Sequence, residues 1–152
     1  MKVYRLSRKK YAEELSGKGA AIVGGRWNSR GTQIIYTAES RALALAEVAV
    51  HLTVATLPED FMMVEIELPD EIEIADLDTE QLPKRWNVFP YNLATQEFGD
   101  EFVRTAEKAV LRVPSAVVPG DFNYLINPKH ADFSRIKISK TEAFPLDNRL
   151  FS

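Results

Sequence analysis

Short hydrophobic segments separated by turn residues set the pattern of this chain. Residues 62–68 alternate, with Val64, Ile66 and Leu68 on one face and glutamates on the other, which predicts a half-buried strand. Further short strands are predicted at residues 33–36, 71–74, 110–113, 116–118, 124–126 and 136–138. This mixture favours an α+β fold, a single domain with a mixed or antiparallel β core and flanking helices, over a repeated βαβ fold.

Helices are predicted at residues 8–15, at about 38–53 and at 100–109, with an ordered loop of short helical turns over 76–99. Thr37 is predicted to cap the second helix. Apolar residues cover most of that helix, and Ser40, Glu47 and His51 form a narrow polar stripe within about 40° on its surface. An ionised glutamate is seldom fully buried, so the stripe either faces solvent or lines a site.

A loop rich in glycine and arginine precedes the strand that ends at Tyr36. Residues 18–31 hold four of the seven glycines, and the sequence GGRWNSRG begins at Gly24. Glycine lets a backbone approach a ligand closely, and arginines can bind phosphate through two hydrogen bonds. Candidate binding residues in this loop are Arg26, Trp27, Asn28 and Arg30. A tight turn with solvated arginines is the alternative, and neither a P-loop nor a Rossmann motif is present.

Ser115 lies between strand-like segments and two prolines in the sequence LRVPSAVVP. No GxSxG motif surrounds it, so it is interpreted as a hydrogen-bonding residue or part of a structural turn rather than a nucleophile. The two histidines, His51 and His130, lack the spacing of metal ligands, and no cysteine is present. No metal site is therefore predicted.

The length of 152 residues fits one domain, predicted over residues 1–152. The net charge of −3 argues against a protein that coats nucleic acid. The absence of cysteine favours a reducing compartment, and no apolar run approaches the roughly 20 residues needed to span a bilayer. A cytoplasmic protein without membrane contact is expected.

Two long segments together resemble the RES-domain family, which is named for an arginine, a glutamate and a serine. They read GGRWNSRGTQIIYTAESRALALAEVAVHL and LRVPSAVVPGDFNYLINPKHADF, and the resemblance extends from about Tyr4 to Ile138. Phe102 stands where the family is expected to have tryptophan, which keeps an aromatic side chain. By this resemblance the family residues fall on Arg26, Tyr36, Glu47 and Ser115.

The resemblance implies a fold similar to the ADP-ribosyltransferase toxins and a growth-inhibiting toxin of a bacterial toxin–antitoxin pair that uses NAD⁺ as its substrate and needs no cofactor. The implied partner is an Xre-like helix-turn-helix antitoxin, so nucleic acid is contacted only through that partner. On this basis Glu47 would stabilise an oxocarbenium ion and Ser115 would contact a ribose or phosphate oxygen. Arg26, helped by Arg30, would bind the pyrophosphate, and Tyr36 would stack on nicotinamide.

Three functional hypotheses remain open from the sequence. The first is an enzyme that degrades NAD⁺ by hydrolysis or phosphorolysis. The second is a mono-ADP-ribosyltransferase that modifies a host protein, which would need the same residues and a different acceptor. The third is a noncatalytic nucleotide- or protein-binding module. A carboxylate at Glu47 near Arg26 argues against the third, since a binder of anions gains nothing from a negative charge in its pocket.

Overall fold

The computed structural model describes residues 1–91 and 93–151. Within these residues the strands are β1 (Lys2–Arg8), β2 (Ile35–Ala38), β3 (Phe61–Glu67), β4 (Ile74–Asp76), β5 (Val110–Pro114), β6 (Phe122–Ile126) and β7 (Lys137–Ala143). They form one seven-stranded sheet with the order β4-β5-β6-β2-β1-β3-β7. All neighbouring strands are antiparallel except β4 and β5, which are parallel. The helices are α1 (Lys18–Val23), α2 (Arg41–Ala49) and α3 (Leu93–Thr105). The predicted α+β class is confirmed.

Helix α2 packs on one face of the sheet through small and aliphatic side chains. Leu43 and Ala44 are its buried residues, and they join a core cluster with Leu6 of β1 and Met63 of β3. The other face of β3 buries Val64 in a second cluster. Because both faces of β3 are covered, the strand is more buried than its alternating pattern predicts.

Glu65 shows how β3 differs from the predicted half-buried strand. The sequence places it on the solvent face, but the residue is only 7% exposed. Its carboxylate lies 3.0 Å from Lys2 Nζ and 3.2 Å from Arg41 Nη2, and it accepts a hydrogen bond of 2.9 Å from Ser139 Oγ. The cations and the hydroxyl offset the desolvation of the carboxylate.

The start of α2 corrects the predicted helix. Thr37 is part of β2, where its Oγ1 donates to the carbonyl of Tyr124 at 2.7 Å, so it does not cap the helix. The cap is Ser40, whose Oγ accepts from the amide of Leu43 at 3.1 Å. Pairing of β2 with β6 therefore extends the strand to Ala38 and shortens the helix to nine residues.

Two other segments near the N-terminus differ from the prediction. Residues 2–8 form β1, which pairs with β3 along its whole length, and the predicted helix at 8–15 is a single 3-10 turn over Lys9–Tyr11. Charged residues hide the alternation of β1 in the sequence. Part of the predicted 18–31 loop is α1.

The later elements also shift. Residues 116–118 form bends rather than a strand, and the predicted strand at 71–74 begins only at Ile74. Helix α3 begins at Leu93 instead of residue 100 and ends at Thr105. None of the helices in the described ranges is long and apolar enough to cross a membrane.

The early start of α3 brings Gly99 against the loop that follows α1. A Cβ atom built on Gly99 would lie 1.6 Å from the carbonyl oxygen of Trp27. Only glycine permits this approach of helix to loop backbone. Nearby, Thr95 Oγ1 donates to the carbonyl of Arg26 at 2.7 Å, and Gln96 Nε2 donates to that of Gly25 at 2.9 Å. Helix α3 thus holds the loop in place.

Candidate active site

A cleft opens where β1 and β2 diverge in the middle of the sheet. These neighbouring strands are paired only between Tyr4 and Ala38. A cavity of about 730 Å³ lies beside this point, lined by side chains of both strands, of α2 and β6, and of the loops around residues 26 and 89. Its volume is in the range of small-molecule sites. The lining includes Arg5, Arg26, Tyr36, Glu47, Tyr91 and Asn123.

Glu47 projects from α2 into this cavity, and two side chains fix its carboxylate. Ser115 Oγ and Asn123 Nδ2 both donate to Glu47 Oε1, each at 2.7 Å. Among the described residues none donates a hydrogen bond to Oε2. Of the predicted polar stripe, Glu47 and His51 line the cavity and Ser40 caps α2, and one oxygen of the Glu47 carboxylate is held by two donors.

Ser115 supports Glu47 and does not contact the cavity directly. It is 4% exposed, and its Oγ also accepts hydrogen bonds from the amides of Val117 at 3.1 Å and Val118 at 3.0 Å. These contacts use both the donor and the acceptor capacity of the hydroxyl. The Ser115 side chain is therefore directed to Glu47, and its expected contact with a ribose or phosphate oxygen stays a prediction.

Arg26 lies on the cavity wall, where its guanidinium is tied to the neighbouring loop. Nη1 donates to the carbonyls of Trp86 at 2.8 Å and Val88 at 3.0 Å. The guanidinium carbon lies 5.2 Å from the centre of the Tyr91 ring, within range of a cation–π interaction. Burial lowers the pKa of Arg26, and the Glu47 carboxylate opposes that shift. The guanidinium of arginine stays cationic in proteins.

Tyr36 presents its ring to the cavity while its hydroxyl is held from behind. The hydroxyl donates to Asn28 Oδ1 at 2.6 Å and accepts from the amide of Trp27 at 3.0 Å. Burial raises the pKa of Tyr36, so the phenol stays protonated and remains a donor. A Cβ on Gly25 would approach the Tyr36 oxygen to 2.8 Å, which explains the glycine there.

The remaining predicted residues of the loop do not line the cavity, and their expected contact with substrate stays a prediction. Trp27 is 2% exposed and packs 5.8 Å from the Trp86 ring, so it offers no free face for stacking. Asn28 is fully buried, and its Nδ2 donates to the carbonyl of Ala20 at 2.8 Å. Arg30 is exposed and does not line the cavity. Trp27 and Asn28 thus shape the loop through their packing and hydrogen bonds.

Arg5 of β1 is a cavity residue that the sequence analysis missed. Its Nη1 donates to the carbonyl of Glu14 at 3.1 Å, and no carboxylate of the described residues forms a salt bridge with it. Burial lowers the pKa of Arg5. The side chain lies between the main cavity and an adjoining one of about 360 Å³, and it lines both. The signal in the sequence is a positively charged residue in the middle of the segment that forms β1.

Asn123 was also missed, although it stands as a polar residue within the apolar segment FNYLI of β6. Aromatic side chains at the mouth of the cavity were not predicted either. The Phe89 ring lies 6.0 Å from that of His51 and meets Tyr91 edge-on at 5.4 Å. Phe89 is 70% exposed, so this rim is apolar and open.

The fold and the cavity define a small α+β protein whose cavity is lined by two arginines and a fixed carboxylate. The chain belongs to the RES-domain family, whose domain it matches over residues 2–147. It is 43% identical over 141 residues to the Prs ADP-ribosylating toxin of Sphingobium sp. (strain YBL2), covering 91% of this chain and 88% of that protein.

A second relative is the toxin Res of Photorhabdus laumondii, 40% identical over 153 residues that cover 99% of this chain and 97% of the other. Among solved structures, the chain is similar to one in the crystal structure of the M. tuberculosis MbcT–MbcA toxin–antitoxin complex. That similarity has a TM-score of 0.71 at 19% identity and covers 99% of this chain and 86% of that one. It supports the fold described above.

Proposed function

We propose that this RES-domain chain is a toxin that consumes NAD⁺ by cleaving the bond between nicotinamide and ribose. The observation that carries the proposal is the geometry of Glu47. Its Oε1 is held by Ser115 and Asn123, its other oxygen accepts no hydrogen bond from the described residues, and the side chain lines a cavity of about 730 Å³. A fixed anion of this kind suits a reaction that develops positive charge on its substrate.

Cleavage of this bond requires a group that stabilises positive charge on the ribose. When the glycosidic bond breaks, its electron pair leaves with neutral nicotinamide, and positive charge develops on C1′ and the ring oxygen of the ribose. At about 4 Å and an effective dielectric of about 20, one carboxylate stabilises such a cation by on the order of 4 kcal/mol. A nucleophile then attacks C1′, and with water the products are nicotinamide, ADP-ribose and a proton. Glu47 is suited to the first step and to orienting the attacking group.

The two arginines fit the anionic part of the same substrate. Arg5 forms no salt bridge with a carboxylate of the described residues, and within those residues the hydrogen bonds of Arg26 Nη1 go to backbone carbonyls. Both are partly desolvated, which strengthens their attraction for a phosphate. We assign them to the pyrophosphate of NAD⁺, with Arg5 added to the arginine expected from the sequence.

The ring of Tyr36 supplies a flat surface for the nicotinamide. Its hydroxyl is occupied by Asn28 and Trp27, so the ring is fixed and neutral. A fixed ring stacks on a ligand without losing side-chain freedom, and a neutral phenol avoids pairing with the positive pyridinium in the ground state. In a noncatalytic binding module, by contrast, the charge of Glu47 would only oppose the binding of an anionic ligand.

Transfer of ADP-ribose to a protein is the second candidate. The observation that favours it is the 43% identity to a toxin named for ADP-ribosylating Prs. The open aromatic rim around Phe89 would allow a protein side chain to reach the cavity. The acceptor alone distinguishes this reaction from hydrolysis or phosphorolysis, since all three break the same bond.

An antitoxin is the proposed partner, because the similar solved structure is a toxin–antitoxin complex. By family resemblance it is an Xre-like protein that binds DNA, and we place it over the mouth of the cavity. The proposed location of the reaction is the cytoplasm, where NAD⁺ is available. A complex that consumes NAD⁺ as fast as the free chain would contradict this blocking role.

The test is NMR spectroscopy of purified chain mixed with NAD⁺, with phosphate present or absent and with bacterial lysate as a source of acceptor proteins. Release of nicotinamide supports the proposal. Free ADP-ribose identifies hydrolysis, a phosphorylated ADP-ribose identifies phosphorolysis, and ADP-ribose bound to protein identifies transfer. Intact NAD⁺ under all three conditions, with folded protein, would refute the proposed function.

A further inference from the structure

Asn123 of β6 presents an arrangement that packing alone does not explain. The residue is 8% exposed, and its Oδ1 is a buried side-chain atom without a hydrogen-bond partner among the described residues. Within the described ranges its Nδ2 makes one hydrogen bond, to Glu47 Oε1 at 2.7 Å. A buried acceptor without a partner destabilises a fold, so this amide serves something other than stability.

The surroundings of Asn123 favour an apolar side chain. Strand β6 is paired on both sides, and Asn123 lies opposite Ala38 of β2 and Val113 of β5. Val113 is fully buried, and so is Leu125, which stands two residues further along β6 and therefore on the same face. The backbone of Asn123 is paired with β2 and β5 without its side chain. An apolar residue would therefore pack there without leaving a polar atom unpaired.

The direction of the amide follows from the charge of Glu47. Turning the amide by 180° would place Oδ1 against the carboxylate oxygen, which is repulsive, so the nitrogen must face Glu47. Ser115 Oγ binds the same oxygen at 2.7 Å. Two donors at Oε1 define the plane of the carboxylate and leave Oε2 directed away from them.

We propose that Asn123 is a positioning residue that holds the ionised carboxylate of Glu47 with Oε2 presented to the substrate. This inference rests on the proposed function, since it takes Glu47 to be the group that acts on NAD⁺. Asn123 acts through Glu47 and touches no reacting atom. Its unpaired Oδ1 is retained because a shorter or apolar side chain would release one of the two donors from Oε1.

The first experiment compares Asn123→Leu with wild type in nicotinamide release and thermal unfolding. We expect kcat to fall about tenfold, the contribution of one hydrogen bond to a charged group, with KM changed by less than about twofold. The unfolding temperature should stay the same or rise, since the unpaired Oδ1 is removed. Wild-type kcat in folded Asn123→Leu would overturn the inference.

A matched control separates this effect from general damage to β6. Asn127 is a fully buried asparagine directly after the same strand, and its Nδ2 donates to the carbonyl of Val103 at 3.3 Å rather than to Glu47. Asn127→Leu should lower the unfolding temperature and leave kcat of the folded fraction unchanged. The same tenfold loss of kcat in both variants would show that Asn123 is only structural.

A double-mutant comparison tests whether Asn123 acts through Glu47. In a Glu47→Gln background, Asn123→Leu should cause little further loss, because the charge it positions is already absent. Additive losses would overturn the inference. If folded wild type releases no nicotinamide, the proposed function fails; if wild type is active and Asn123→Leu equals it, the positioning role alone fails.

Asn123→Asp provides a second variant of nearly identical size. When protonated, the introduced carboxyl group donates to Glu47 Oε1 as the amide does, and when ionised it repels Glu47. Its activity relative to wild type should therefore increase as the pH is lowered. Other titratable or charged groups at the cavity are common to both proteins and cancel in the ratio: Tyr4, Arg5, Arg26, Tyr36, His51 and Tyr91. A ratio independent of pH would contradict the positioning role.

Discussion

Ser115 Oγ donates a hydrogen bond of 2.7 Å to Glu47 Oε1 across 68 positions of sequence. Both residues belong to the set expected from the family resemblance, and the structure shows that they form one unit. The hydroxyl also accepts from two backbone amides, so the turn after β5 fixes its position. The glutamate carries the charge, and the serine determines where that charge lies.

Ser115→Ala tests this division of roles. It removes one of the two donors at Oε1 and leaves the charge of Glu47 in place. We expect kcat for nicotinamide release to fall by roughly tenfold while KM for NAD⁺ stays nearly the same. The free energy of unfolding should fall by about 1–2 kcal/mol, because two amides lose their acceptor.

The control for Ser115→Ala is Ser139→Ala. Ser139 also donates to a glutamate, Glu65, at 2.9 Å, but neither residue lines the cavity. This variant should lose stability without losing turnover. A large increase in KM with an unchanged kcat in Ser115→Ala would instead indicate direct contact of the serine with NAD⁺.

The sequence predicts the strands that have a clear apolar alternation and fails where charge interrupts it. The positions of Val64 and Ile66 predict strand β3. The sequence does not predict β1, because Lys2, Arg5 and Arg8 break its apolar alternation. One of these charges, Arg5, lines the cavity. The residue that hid the strand is thus part of the candidate site.

Long-range pairing explains the other differences. Thr37 and Ser40 are both suitable helix caps, and only the pairing of Thr37 with Tyr124 of β6 decides between them. In the same way, nothing local in the sequence places Asn123 beside Glu47, since the contact spans 76 positions. The Arg, Tyr and Glu of the site were located through resemblance, and their supporting contacts required the fold.

The contact of Gly99 with the Trp27 carbonyl predicts an unusual response to alanine. Alanine normally stabilises a helix interior relative to glycine by about 1 kcal/mol. At Gly99 its Cβ would lie 1.6 Å from that oxygen, so α3 and the loop must move apart. We expect Gly99→Ala to destabilise the fold by about 1–3 kcal/mol in chemical denaturation.

Gly19 of α1 is the matched control, since a Cβ there meets no atom within 4 Å. Gly19→Ala should stabilise the protein by about 0.5–1 kcal/mol. Opposite signs for the two substitutions would support the close approach of α3 to the loop. Stabilisation by Gly99→Ala would show that this contact does not exist.

Arg26→Lys tests the proposed contact with pyrophosphate. Lysine keeps the positive charge but lacks the planar group that contacts the Trp86 and Val88 carbonyls and a phosphate at the same time. We expect kcat/KM to fall roughly tenfold or more, mainly through KM, with the fold retained. Isothermal titration with ADP-ribose, which cannot react further, should show the same loss of affinity.

Arg30 distinguishes a specific effect from a general loss of positive charge. It lies four residues away in the same loop, is exposed and does not line the cavity. Arg30→Lys and Arg30→Ala should therefore behave as wild type in turnover and binding. Equal losses from changes at Arg26 and Arg30 would point to long-range attraction of the anion rather than a contact.

Glu47→Gln tests the central group of the proposed mechanism. Glutamine keeps an oxygen that can accept from both Ser115 and Asn123, so the side chain should keep its position. Its amide nitrogen then replaces Oε2 at the cavity, and the negative charge is lost. Folding should be little affected, which thermal unfolding will show.

The expected result is a fall of about a hundredfold or more in nicotinamide release at saturating NAD⁺. Binding of NAD⁺ should hardly change, because the carboxylate stabilises the developing oxocarbenium ion much more than the ground-state ribose. Cells that express the variant without an antitoxin should grow and keep their NAD⁺.

Glu65→Gln is the control, since it removes a buried carboxylate that lies away from the cavity, and it should reduce stability while sparing turnover. Equal turnover of wild type and folded Glu47→Gln would remove the electrostatic basis of the mechanism and show that the bond is cleaved without the charge of Glu47.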